Sequence, residues 1–84
     1  TEGGDEKMEI SPDLKVTEPT VTMISNTFVR IENYLSIVTY DTNLIKIKTK
    51  IKTVKIVGDG LLLKYIEENE IGIKGLIYSL EYID

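Results

Sequence analysis

The chain has 84 residues, a net charge of −4, and no Cys, His or Trp. These absences exclude disulfides, thiolate nucleophiles, zinc–sulfur sites and imidazole acid/base chemistry. The length allows one small domain, and a pI near 4.8 argues against binding nucleic acid through bulk charge.

The apolar stock points to strands. Ala, the best helix former, is missing, while 13 Ile, 6 Val and 9 Thr make up a third of the chain. Such β-branched side chains are stiff at χ1 and suit a pleated surface. The expected fold is all-β: an antiparallel meander or sandwich of about six to eight short strands. A flexible acidic N-terminal arm covers 1–19 and a single β domain covers 20–84. A domain this small, without metal or disulfide, has a marginal core and gains from self-association or a partner. The longest apolar run is Leu61, Leu62 and Leu63, far short of the roughly 20 residues of a membrane helix. With no visible signal peptide at the polar start and no Cys, a cytoplasmic protein is expected.

Residues 1–7 (TEGGDEK) read as disordered, and 8–19 as an arm or short turn docked on the body. Segment 20–25 reads as a strand with Val21 and Met23 on one face and Ile24 breaking the alternation. Asn26 and Thr27 form a turn before a strand at 28–32, and Asn33 marks a second turn or bulge. A third strand spans 35–40, closed by the polar turn Asp41, Thr42 and Asn43. Next, Ile45, Ile47, Thr49 and Ile51 alternate with Lys46, Lys48, Lys50 and Lys52. The turn near 51–53 has no Gly or Asn, which is poor hairpin chemistry. After a strand at 54–57, Gly58, Asp59 and Gly60 give a strong turn signal. Strands at 61–66 and 71–74 flank a polar turn at 67–70. Gly75 marks a bulge, after which Leu76, Tyr78, Leu80 and Tyr82 share one face and Ile77, Ser79, Glu81 and Ile83 the other. Short echoes at 47–49, 56–58 and 73–75 read as hairpin regularity and not as a solenoid repeat.

Few residues offer chemistry. Lys46, Lys48, Lys50, Lys52 and Lys55 form a candidate anion patch. A solvated strand face, lysine-rich to block edge-to-edge pairing, accounts for the same pattern. With one Arg and no interleaved aromatic, nucleic acid is not an expected partner. Glu67, Glu68 and Glu70 lack calcium-loop spacing, and Gly58-Asp59-Gly60 lacks the Lys and Ser/Thr of a phosphate loop. No catalytic residue, metal site or cofactor is expected. Tyr78 and Tyr82, at strand parity with Leu76 and Leu80, read as core or interface.

Several strings resemble the YabP/YqfC family of sporulation proteins, nearest its YqfC branch. They are SPDL at 11–14, PTVTMISN at 19–26, IENY at 31–34, IKIKTK at 45–50, IVG at 56–58, LLL at 61–63, IGIKG at 71–75 and LEY at 80–82. The chain departs from the family pattern at Ser25 and Lys52, where Gly is usual. It departs again at Tyr34, Leu35 and Ser36, where the branch favours His-Arg-Gly. The resemblance implies a non-enzymatic protein of the mother cell of an endospore former, at work near the forespore membrane beside a YqfD-like membrane protein. On this reading the candidate partner or self-association surface is Val21, Met23, Ile24, Tyr78, Leu80 and Tyr82, on terminal strands expected at sheet edges. The alternative is a ligand-binding β-module using the hairpin at 46–55 for an anionic polymer or phosphate.

Overall fold

The structure, a computed structural model, describes residues 18–84. The expectations for 1–17, disorder at the start and a docked arm after it, lie outside the described residues. Six strands follow in order: β1 (Thr20–Ile24), β2 (Phe28–Glu32), β3 (Ser36–Tyr40), β4 (Leu44–Lys48), β5 (Thr53–Ile66) and β6 (Glu70–Ile83). They form one antiparallel sheet in the order β1-β2-β6-β5-β4-β3. The all-β antiparallel expectation holds. Strands β3 to β6 run as a meander, and the β1–β2 hairpin is added on the far side of β6.

The two long strands decide the shape. Gly58, Asp59 and Gly60 do not reverse the chain; they lie inside the continuous 14-residue β5. The β5–β6 register slips between Val57 and Gly58, between Asp59 and Leu62, and again between Leu63 and Tyr65. Gly60 sits at φ 64° and Gly75 at φ 141°. A Cβ on Gly58 would run into the Leu76 carbonyl oxygen, and one on Gly75 would lie 2.7 Å from the Gly60 carbonyl oxygen. The glycines let two backbones touch where both strands bend, which is the bulge role and not the hairpin role of glycine.

The bend divides the sheet into two half-sheets. The first joins β1, β2, residues 70–74 of β6 and residues 62–66 of β5. The second joins β3, β4, residues 53–57 of β5 and residues 79–83 of β6. Residues 33–35 tie their far ends together: Asn33 N–H donates to Asn69 O at 2.6 Å and Leu35 N–H to Lys48 O at 2.7 Å. Asn33 makes this crossing at φ 62°, a conformation Asn tolerates. The sheet is thus doubled over, and its inner faces enclose one core. Val29, Ile31, Ile71 and Ile73 come from the first half. Ile45, Ile47, Val54 and Ile56 come from the second, with Leu61 and Ile77 at the bend.

Ile77 is buried, apart from the exposed Ser79 and Glu81 with which its parity grouped it, because Ile77 and Ser79 stand opposite the consecutive residues Gly58 and Val57. The bulge resets the alternation, so that Ile77 and Leu80 both face inward. Of the four residues expected to share one face, only Leu80 packs against the core; Leu76, Tyr78 and Tyr82 are exposed. The β4–β5 connection is the other revision. Strand β4 ends at Lys48, and Ile51 lies exposed in the turn. Thr49 takes over the role of a turn glycine. Its buried hydroxyl accepts N–H bonds from Ile51 and Lys52, both at 3.2 Å, and donates to Lys52 O at 2.6 Å. Lys52 keeps a negative φ, so the residue that replaces the family Gly is unstrained there. Ser25, the other replacement, adopts φ 53°, a left-handed conformation that Gly reaches at no steric cost.

Candidate interaction surface

The doubled sheet leaves strand edges. Strand β1 pairs only with β2, and β3 only with β4. Beyond the bend, the C-terminal half of β5 pairs only with the N-terminal half of β6, and the C-terminal half of β6 only with the N-terminal half of β5. The turns of the short hairpins reach the bends. Gly58 and Leu61 donate N–H bonds to the Asn43 and Thr42 carbonyls, while Gly75 and Ile77 donate to those of Thr27 and Asn26.

One side chain reaches from β3 to the free edge of β5. Tyr40 Oη accepts the Leu63 N–H at 3.2 Å, linking β3 to the free edge of β5. The edges at β1 and β6 carry the residues singled out from the sequence. By register Val21 and Met23 face inward, opposite Ile31 and Val29, and Ile24 faces outward. Val21 and Leu80 pack against the core. Met23 (43%), Ile24 (55%), Tyr78 (64%) and Tyr82 (55%) stay exposed. An unpaired edge flanked by exposed apolar groups is what proteins normally blunt with charge or cover. Where β1 begins, an open cleft of about 420 Å³ is lined by Glu18, Pro19, Ile51, Lys52 and Tyr82. It brings the start of β1 and the end of β6 together.

The lysine hairpin is partly neutralised. Lys50 lies 3.6 Å from Glu18, Lys52 3.3 Å from Asp84 and Lys55 3.7 Å from Glu81. Lys46 and Lys48 share the outer face of β4 with Lys55, which stands directly opposite Lys46 on β5, whereas Lys50 and Lys52 are in the turn. Glu67 and Glu70 close the β5–β6 turn, with the Glu67 N–H on the Glu70 carbonyl at 2.7 Å. Tyr34 donates its hydroxyl to the Glu67 carbonyl at 3.0 Å.

One cluster had no signature in the sequence. On the outer face of the first half-sheet, Tyr65 lies over Gly72, where any side chain would displace its ring. The Phe28 ring is 6.5 Å from the Tyr65 ring, centroid to centroid, and Lys64 Nζ is 5.8 Å from the Phe28 ring centroid. The Tyr65 hydroxyl donates to the Glu70 carboxylate. That bond, with burial and the Glu70 charge, pushes the Tyr65 pKa from 10.0 up to about 12. Arg30 is beside it, its Nε 3.7 Å from Glu32. Residues 28, 30, 65 and 72 are distant in the chain, so only strand register assembles them.

Comparison with known proteins bears on the whole chain. No solved structure matches it. The protein described as uncharacterized protein YqfC, from Bacillus subtilis (strain 168), is 27% identical over 77 residues, which cover 92% of this chain and 83% of that protein. The YabP family model matches residues 15–84, taking in all six strands. A match over that much of the chain shows the family: this chain belongs to the YabP family.

Proposed function

We propose that this protein is a non-catalytic structural component of endospore formation that works by pairing its unpaired strand edges with another protein. Membership of the YabP family is consistent with a sporulation-related role. The observation that carries the pairing mechanism is the edge of β1 and β6, where Met23, Ile24, Tyr78 and Tyr82 remain exposed beside unpaired backbone. Strand addition to such an edge gains main-chain hydrogen bonds, and flanking side chains supply specificity. The partner is a second copy or a membrane-associated protein of the mother cell, YqfD-like by the resemblance, with this chain peripheral at the forespore membrane. Among the described residues no helix is long and apolar enough to cross a membrane.

The test is capture from sporulating cells with the wild type and with the variant Met23→Lys/Tyr82→Lys, each shown to be folded by circular dichroism. Loss of the captured partner and of sporulation efficiency in the variant is the expected result. Full capture by a folded variant would show that the edge is not the surface used.

A further inference from the structure

The two half-sheets present different outer faces. On the second half, Lys46 and Lys48 stand on β4 and Lys55 on β5, with Lys46 directly opposite Lys55. Like charges so placed repel, and this face repels a second copy of itself. The first half is built otherwise. Register sets three rows across its four strands. One row holds Ile24, Phe28, Lys74 and Leu62, the next Thr22, Arg30, Gly72 and Tyr65, and the last Thr20, Glu32 and Glu70. All three face away from the core, because they alternate with the buried Val29, Ile31, Ile71 and Ile73.

This face is apolar at one end and in the middle, and its charges are sorted by sign. Ile24 and Leu62 are exposed, with Phe28 half-buried on the same row. The middle row carries Tyr65, which lies over Gly72. Two cations stand at the first end: Lys74, and Lys64, whose Nζ is 5.8 Å from the Phe28 ring centroid. Two carboxylates, Glu32 and Glu70, stand at the other end. Arg30, between them, is held 3.7 Å from Glu32 of its own chain. Along one strand the two ends are four residues apart, roughly 13 Å, so Lys74 and Glu70 do not meet within a chain.

Such a face is complementary to itself. A half-turn about an axis running across the strands lays β2 over β2 and β6 over β6 of a second copy, with each end row over its opposite. Lys74 then faces Glu70 of the second copy, and Lys64, above Phe28, faces Glu32 of the second copy. Ile24 is covered by the facing row, and the two Tyr65 rings lie near the axis. We propose that the outer face of the first half-sheet is the contact between two copies of this chain, stacked with their strands antiparallel. The contact is isologous and closes at two copies. Four strands of five residues give a face of about 19 Å by 17 Å. That is small for a permanent dimer and suits a transient one, with a dissociation constant on the order of 0.1 mM. The proposal goes beyond edge pairing and leaves the strand edges free.

The test exchanges the charges. Sedimentation equilibrium of the full chain from about 10 μM to about 1 mM should show a monomer–dimer equilibrium. Lys74→Glu sets carboxylate against carboxylate across the axis, and Glu70→Lys sets ammonium against ammonium. Each variant alone should dimerise at least about tenfold more weakly than the wild type. An equimolar mixture of the two should recover to within about threefold of the wild type, because both contacts then join opposite charges. Ile24→Lys, at an exposed position away from Tyr65 and Glu70, should also abolish the dimer. Met23→Lys/Tyr82→Lys, which strikes the strand edge, should leave it intact, so this result and the edge reading fail separately. Circular dichroism confirms that each variant is folded. A wild type monomeric throughout, a mixture no tighter than its components, or a dimer lost only in the edge variant would overturn the proposal.

Discussion

The two half-sheets repeat one plan. The hairpin β1–β2 is matched by β3–β4 at an offset of 16 residues, and β5 and β6 have the same length, 14 residues. Val29 and Ile31 correspond to Ile45 and Ile47, and Val54 and Ile56 to Ile71 and Ile73, all with no exposure. Gly58 corresponds to Gly75, and each donates its N–H to the turn of a short hairpin. The echo of 56–58 in 73–75, visible in the sequence, is part of this duplication. The halves differ on their outer surfaces. One cross-strand position holds Tyr65 over Gly72 in the first half and the ion pair of Lys55 and Glu81 in the second. The edges differ as well: Tyr40 covers one, and Met23 leaves the other open. Packing inside is held in common, and whatever is particular to this protein is written on the surfaces where the halves part company.

The largest test of this comparison strikes the shared bend. Gly58→Ala forces a Cβ into the Leu76 carbonyl, which is backbone and cannot move aside. A loss of more than about 3 kcal/mol is expected in urea unfolding. Gly60→Ala meets no atom within 4 Å and suffers only from its φ of 64°, so about 1 kcal/mol is expected. Similar losses from the two would mean that the bend does not depend on close backbone contact at Gly58.

Next in size is the equivalence of the cores. Ile31→Ala and Ile47→Ala should each cost about 2–5 kcal/mol, and the two values should agree within about 1 kcal/mol. A large disparity would show that one half is held by something besides the shared packing.

The edge asymmetry predicts smaller effects. Tyr40→Phe removes the acceptor for the Leu63 N–H, costs about 1 kcal/mol and accelerates exchange at that amide. The corresponding change at Met23, to Leu, should leave amide exchange on β6 unaltered. In the β1–β2 turn, Ser25→Gly relieves φ 53° and should raise stability by about 0.5–1 kcal/mol, the reverse of the usual effect of Gly.

The smallest effect distinguishes the outer faces. Because the Tyr65 pKa is raised in the folded protein, its contribution to stability is complete below about pH 10 and is lost as pH rises toward about 12. Ultraviolet titration should show the Tyr65 phenol ionising near pH 12, and Tyr65→Phe should remove that step.

Much of this molecule was legible in its residues. The strand at 28–32, the Gly75 bulge and the polar turn at 41–43 could all be read, because alternation and turn chemistry act over a few neighbours. Gly58-Asp59-Gly60 misled for the same reason. A glycine pair permits a reversal or a bulge alike, and the choice depends on whether a distant backbone, here that of Leu76, comes to meet it. Strand β1 is an outer strand as expected from its terminal place, but β6 is not: it lies between β2 and β5, open on one side only along its C-terminal half, and the second outer strand is β3. The cluster of Phe28, Tyr65 and Gly72 was not foreseeable, since no local pattern links residues so far apart.

The sequence by itself determined that the chain would be strands, through its β-branched stock, and set which side chains of each short strand face inward. The tertiary structure decided that one sheet doubles over on itself, that its halves repeat, and which edge Tyr40 covers. The reason is physical. Side-chain direction follows from a two-residue period and local sterics. Closure of a sheet depends on pairing between segments tens of residues apart, and only the assembled bend and core select that pairing.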